Sequence, residues 1–182
     1  MCCACDSDGN DGKWSSFTIR IGTLSQNVRV LVSTLVPETW AVLPAGCTFN
    51  DPPSCLYSRG DSFDPTMSTT WIDKDNWSLN EEAVLGISQA DAGHYGYDVL
   101  GIQIHGSSGG GVPLENQVIA GIATKDFYLG NLGLAPRKPA FGDSQNPSFL
   151  KSLRNKNYIP SLSYGYTAGA SYSKSVGVDQ LG

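Results

Sequence analysis

The sequence predicts an all-β fold with one or two short helices, and three observations carry that expectation. Twenty-one glycines and ten prolines punctuate 182 residues, a density of chain-turning residues that suits short strands joined by turns. Apolar, often β-branched residues recur at period two in several short stretches, whereas helical periodicity is confined to one. Apolar residues make up 40% of the chain and charged residues 16%, which is the balance of a globular chain and not of a disordered one. The length is that of one domain with enough chain to bury a sizeable core.

The elements follow in order. Residues 1–13 are acidic and Cys-rich and are expected to form a mobile tail, leaving 14–182 as the domain. Over 14–22, Phe17, Ile19 and Ile21 alternate with Thr18 and Arg20, a strand closed by Gly22 and Thr23. Residues 28–32 make the second strand of a hairpin. Pro37 breaks the chain, and 40–43 begin another short strand. Residues 45–70 read as a turn-rich loop. Further strands are expected at 83–87, 95–104, 118–123 and 129–134. Pro147 and Ser148 open one helix over 149–155, with Phe149, Leu150 and Leu153 on one face. Alternating apolar residues over 158–166 are expected to close the domain.

Charge and cysteine usage exclude several functions. A net charge of −5, with no basic patch, argues against nucleic acid as a partner. No run of about 18 apolar residues exists, so no membrane-spanning segment is expected. No apolar stretch follows Met1, so no signal peptide is visible. Cys47 and Cys55 stand eight apart in a Pro-rich loop, a spacing that suits a small disulfide in an oxidising compartment. Cys2, Cys3 and Cys5 crowd the start of the chain without a second ligand pair, and there are two histidines. No metal site and no cofactor are expected.

Other motifs fail on their own chemistry. The stretch 6–12 mimics a calcium loop, but Asp11 stands where glycine is required and Phe17 where a bidentate Glu belongs. The glycine run at 106–111 has no following Lys-Ser/Thr, so it is no phosphate cradle. Glu81 and Glu82 are adjacent and would face opposite sides of a strand. Arg59-Gly60-Asp61 is an integrin-type triplet of a length that arises by chance. Asn76-Trp77-Ser78 is a glycosylation acceptor, meaningful in a secreted chain.

The stretch "VLVSTLVPETWAVLP" (30–44) has the outline of a strand delivering a working residue into a tight loop, followed by a second strand. With the hairpin before it, this stretch resembles the N-terminal lobe of pepsin-like aspartic proteases, where Asp-Thr-Gly sits between the same strands and a Trp follows. "SRGDSFDPTMSTTW" (58–71), "HYGYDVLGI" (94–102), "FYLGNLGLAPR" (127–137) and "NPSFLKSLRNKNYIPSLSYGY" (146–166) resemble later segments of that lobe. The likeness is greatest to a fungal group with a degenerate first catalytic motif. It implies a secreted or cell-surface protein, one lobe of a bilobal fold, and a cleft that takes a peptide or protein ligand. Cleft-lining candidates on that resemblance are Trp40 and the flap region Leu85, Gly86, Ile87 and Ser88.

The departures bear on function. Ser33 stands at the place of the first catalytic aspartate, Thr34 is kept, and Leu35 replaces the glycine. The chain contains no Asp-Thr-Gly or Asp-Ser-Gly and the flap's Tyr-Gly-Thr-Gly is missing, and on the resemblance these 182 residues are expected to hold one lobe without the second. Two carboxylates sharing one proton supply both the base and the acid of that chemistry. A serine supplies neither. As a nucleophile Ser33 would need a base, and His94 and His105 are the available imidazoles, with no Asp-His-Ser pattern around them. The expectation is therefore a peptidase-like domain without activity, serving as a peptide-binding or interaction module. The alternative is part of an active aspartic endopeptidase whose catalytic groups come from a second lobe or another chain, although a homodimer would bring two serines together.

Overall fold

A computed structural model describes residues 16–78, 92–102, 111–139 and 146–165. The chain is mainly β and forms a closed barrel of six strands. The strands are β1 (Phe17–Ile21), β2 (Gln26–Ser33), β3 (Trp40–Val42), β4 (Ile72–Ser78), β5 (Ala92–Ile102), β6 (Val112–Ile122) and β7 (Gly130–Gly133). Their order is β1-β2-β7-β3-β6-β5-β4, and pairing of β1 with β5 closes the barrel and leaves β4 as an added edge strand. Among the described residues two short helices accompany them, α1 (Cys55–Ser58) and α2 (Phe149–Asn155).

The hairpin of β1 and β2 arises where the period-two pattern places it, with Phe17 opposite Val30 and Ile21 opposite Gln26. Ile19, Ile21, Val28 and Val30 all point into the barrel and are buried. β7 lies parallel to β2, with Val30 opposite Gly130 and Ser33 opposite Gly133, and meets β3 antiparallel at Trp40 and Asn131. A short strand is thus threaded between two others, which requires close backbone approach. At Gly133 a Cβ would sit 2.3 Å from the carbonyl carbon of Pro37, so no side chain fits there.

β3 and β6 separate two apolar clusters. Ala41 and Ile119 face the barrel interior with Leu100, Leu114, Leu132 and the apolar face of α2. Trp40, Val42, Val118, Ala120 and Ile122, on the alternate positions, face the other way with Val36. Strand alternation explains this directly: a strand buried on both faces reads as a continuous apolar run, as 118–123 does. α2 begins where Ser148 Oγ accepts from the Lys151 N–H at 3.4 Å, an N-cap.

Three sequence expectations differ from the structure. β4 was not expected; its sequence, "IDKDNWS", is charged, and an edge strand has no need for an apolar stripe. Residues 156–162 form turns and bends, and Tyr158, Leu162 and Tyr164 are exposed while Ile159 packs against the barrel core, so the stretch is not a strand. The loop over 45–70 contains α1 and two 3₁₀ turns. The expected strand at 83–87 and the tail of 1–13, with Cys2, Cys3 and Cys5, lie outside the described residues. The disulfide is formed: Cys47 and Cys55 are bridged with their Cα atoms 6.0 Å apart. No described helix is long and apolar enough to cross a membrane.

Candidate functional site

Ser33 ends β2, and the chain then turns sharply. Its Oγ accepts from the N–H of Leu35 at 3.2 Å and from that of Val36 at 3.4 Å. A hydroxyl oxygen has two lone pairs and one proton. Both lone pairs are engaged by the loop's own backbone, and the O–H is left to donate. Thr34 is exposed and Leu35 is 55% exposed, so the loop tip faces outward. Val36 turns back inward and joins the second apolar cluster.

The loop is braced from β7. Leu134 N–H donates to Ser33 O at 2.8 Å and Ala135 N–H to Val36 O at 3.3 Å. Arg137 Nη2 donates to Leu35 O at 3.1 Å. Beneath it, Asn131 Nδ2 donates to Glu38 O at 2.9 Å, and Gly133 N–H donates to Thr39 Oγ1 at 3.2 Å. Glu38, Thr39 and Asn131 are all buried. This is a polar network joining the two sides of a threaded strand, with Asn131 doing for side chains what β7 does for backbone. Sequence reasoning missed Asn131 and Thr39; a polar residue inside an apolar run, "YLGNLGLA", was the available signal.

The remaining candidates are dispersed. His94 stands on β5 with Nε2 2.7 Å from Asp73 Oδ1 on β4, and Ser33 Oγ meets no imidazole among the described residues. His105 lies outside the described residues, as do Leu85, Gly86, Ile87 and Ser88. Asn76 falls on β4 opposite His94 in register. The Arg59-Gly60-Asp61 triplet is not a presented motif, because Arg59 is 3% exposed and Gly60 has a φ of 81° against the backbone of Arg29. Trp40 is buried at 3% exposure, packed against Phe127 with ring centroids 5.2 Å apart. Its Nε1–H has no hydrogen-bond partner among the described residues. No group of three or more metal-ligating side chains occurs among the described residues.

Arg59 was also missed as a structural residue. Its Nε donates to Tyr128 O, Nη1 to Gly46 O, and Nη2 to both Thr124 O and Phe127 O, at 2.6–3.1 Å. Burial pushes its pKa below the ordinary value. Beside it Lys125 Nζ pairs with Asp51 Oδ1 at 2.5 Å. That ion pair, with the Thr48 N–H and hydroxyl on the other oxygen, holds the Asp51 carboxyl well below the usual carboxylate range. A cavity of about 240 Å³ lies here, lined by Asp51, Ser54, Arg59, Lys125 and Tyr128. A second, of about 490 Å³, lies past α2 against Arg154 and Ile159. Neither cavity reaches Ser33 or Trp40.

Comparison of the chain with protein-family models and with curated proteins found no match.

Proposed function

We propose that this chain is a peptidase-like lobe of pepsin-like construction that holds an extended peptide without cleaving it. The observation that carries the reading is the loop at the end of β2. It turns back on itself around the side chain of residue 33, braced by β7, and the group it encloses is a hydroxyl with both lone pairs occupied. A carboxylate in that position could take and return a proton near neutral or acidic pH. A serine hydroxyl cannot, and among the described residues no imidazole stands against it to activate it. What the loop retains is geometry: a donor at its mouth, beside an apolar surface. Recognition of an extended peptide needs backbone pairing and pockets for side chains, and not an acid–base pair.

The test has two arms. The folded chain is incubated with a denatured protein substrate from about pH 2.5 to about 6, the range in which a carboxylate dyad works. A randomised hexapeptide library is then panned on the same material. We expect no cleavage and recovery of apolar peptides. Pepstatin-sensitive turnover would overturn the reading and favour an active endopeptidase completed by another lobe or chain. Recovery of no peptide at all would leave the module without its ligand class and end the binding half of the proposal.

A further inference from the structure

The side chain of Phe49 is 100% exposed. A single apolar side chain in water is ordinary on a protein surface; what sets this one apart is how firmly its backbone is held. Phe49 and Asn50 are the corner residues of a turn in which the Asp51 N–H donates to Thr48 O at 3.0 Å. The Thr48 N–H and hydroxyl both donate back to Asp51 Oδ2, at 2.6 and 2.8 Å. Lys125 holds the other Asp51 oxygen, and the Cys47–Cys55 bridge closes the loop outside the turn. The chain therefore fixes a benzyl group in solvent and gains no burial from it. An aromatic side chain on a rigid backbone loses little conformational freedom when something covers it, which is the character of an interface anchor.

The same loop forms a wall of the smaller cavity. Asp51 and Pro52 follow the turn directly, and with Ser54, Cys55 and Tyr128 they line a space of about 240 Å³ that Phe49 itself does not enter. An apolar cavity of about 150 Å³ already admits a benzene ring. Here the proline ring, the disulfide and the Tyr128 ring supply apolar walls. A projecting ring and a hole with room for a ring thus share one face, built from one short loop and its neighbours. Within one chain the ring stays outside the hole. Two copies related by a two-fold axis bring them together twice, because such a contact presents the same patch from both sides. The charges allow the approach. A two-fold contact sets each free charge near its own kind, at a cost, but here Lys125 is paired with Asp51 and the Arg59 guanidinium is engaged by four carbonyls.

We infer that this face is a self-association surface, on which Phe49 of each copy inserts into the cavity between Pro52, Cys55 and Tyr128 of the other. The occupant is a second copy because the face carries both halves of the contact. The staples of the loop keep ring and hole at a fixed spacing, which a reciprocal contact requires. The cavity does not reach Ser33, so the inference stands apart from the peptide-binding reading. A contact made by one loop on each side is at the small end of interfaces, and the dimer is accordingly weak and concentration-dependent.

Sedimentation velocity of the full chain tests this from about 1 μM to about 100 μM. We expect monomer at the low end and dimer at the high end, with a dissociation constant on the order of 10 μM. Phe49→Ala should weaken the dimer about a hundredfold, since each dimer loses two ring contacts of about tenfold each. Its melting temperature, read on dilute monomer, should not change, because the ring buries nothing in one copy. Ser54→Trp approaches the contact from the other side. Ser54 is exposed and its side chain makes no cap bond, so the indole should fill the cavity and abolish the dimer with Phe49 intact. Last, p-benzoylphenylalanine in place of Phe49, in a mixture of isotope-labelled and unlabelled chains, should cross-link between copies to peptides that carry Pro52, Cys55 or Tyr128. A monomer throughout the range, a dimer that either substitution leaves intact, or cross-links to other peptides would each overturn the inference. None of these outcomes bears on peptide capture at the Ser33 loop.

Discussion

The two ends of β7 are held in different ways. Where the chain enters the strand, residues 124–128 are pinned through three carbonyl oxygens to a buried guanidinium that also bonds Gly46 O, beside a disulfide and an ion pair. Where it leaves, the Ser33 loop is held by a few backbone bonds, two long contacts to a hydroxyl and one exposed arginine bond to Leu35 O. The first end is closed and over-determined. The second exposes Thr34 and Leu35 and keeps hydrogen-bonding capacity unused. Local stability is not spread evenly in a folded chain, and segments that must meet a ligand come from its loosely held parts. On the proposed peptide-binding reading, the entry end of β7 would be scaffold and the exit end the working surface.

Substitutions at four places test that contrast, and the largest effect belongs to the entry end. Arg59→Ala strands four carbonyls, so a loss of about 3–5 kcal/mol in chemical denaturation is expected, since each buried acceptor left unpaired costs about 1–3 kcal/mol. Arg59→Lys should recover only part, since one ammonium cannot span acceptors arranged for a planar fork. A loss below about 1 kcal/mol would mean that water replaces the guanidinium and that the two ends are held alike. Next comes the disulfide. Closing so short a loop contributes about 2–3 kcal/mol in the chain-entropy description, so Cys47→Ser with Cys55→Ser should lower stability by that much while leaving the Ser33 loop's amide exchange unchanged.

The ion pair beside the disulfide gives a pH dependence of definite sign. Because Asp51 is held below its ordinary value of 3.8 when folded, its contribution is fully present above about pH 4 and is lost as the pH falls below that. Asp51→Asn should therefore lower stability at neutral pH, flatten the acid limb of the stability curve, and bring the two proteins to similar stability at low pH. An unaltered acid limb in Asp51→Asn would show that other carboxylates dominate it. The smallest effect is expected at the exit end. Ser33→Ala, which removes two long contacts at a partly exposed site, should alter stability by under about 1 kcal/mol. The double change Ser33→Asp with Leu35→Gly should still give no peptide-bond cleavage at acidic pH, since one carboxylate without a partner cannot be both acid and base. Turnover by that variant would reveal a second carboxylate acting from elsewhere.

Much of the secondary structure was legible because it is written locally. Phe17, Ile19 and Ile21 announce a half-buried strand by alternation, 118–123 announces a strand buried on both sides, and Ser148 before Phe149, Leu150 and Leu153 marks a capped amphipathic helix that the structure places over Phe149–Asn155. Cys47 and Cys55 were close enough in sequence for the loop itself to bring them together. Local spacing and side-chain chemistry are sufficient for such features, because every interacting group lies within a few residues of its partner.

What the tertiary structure alone decided involves partners far apart in the chain. Arg59 bonds to carbonyls 65 to 69 residues away, and Asn131 to a carbonyl 93 residues away; in the sequence, Arg59 was one letter of an exposed-looking triplet. β4 has no apolar stripe to announce it and exists because β5 offers an unpaired edge. Conversely, the alternation of Tyr158, Leu162 and Tyr164 finds no strand to lie against and stays exposed. The Trp40 N–H, without a hydrogen-bond partner among the described residues, belongs to the same class. A sequence specifies which side chains are apolar and which can donate, but whether a donor meets an acceptor depends on what the folded chain places opposite it.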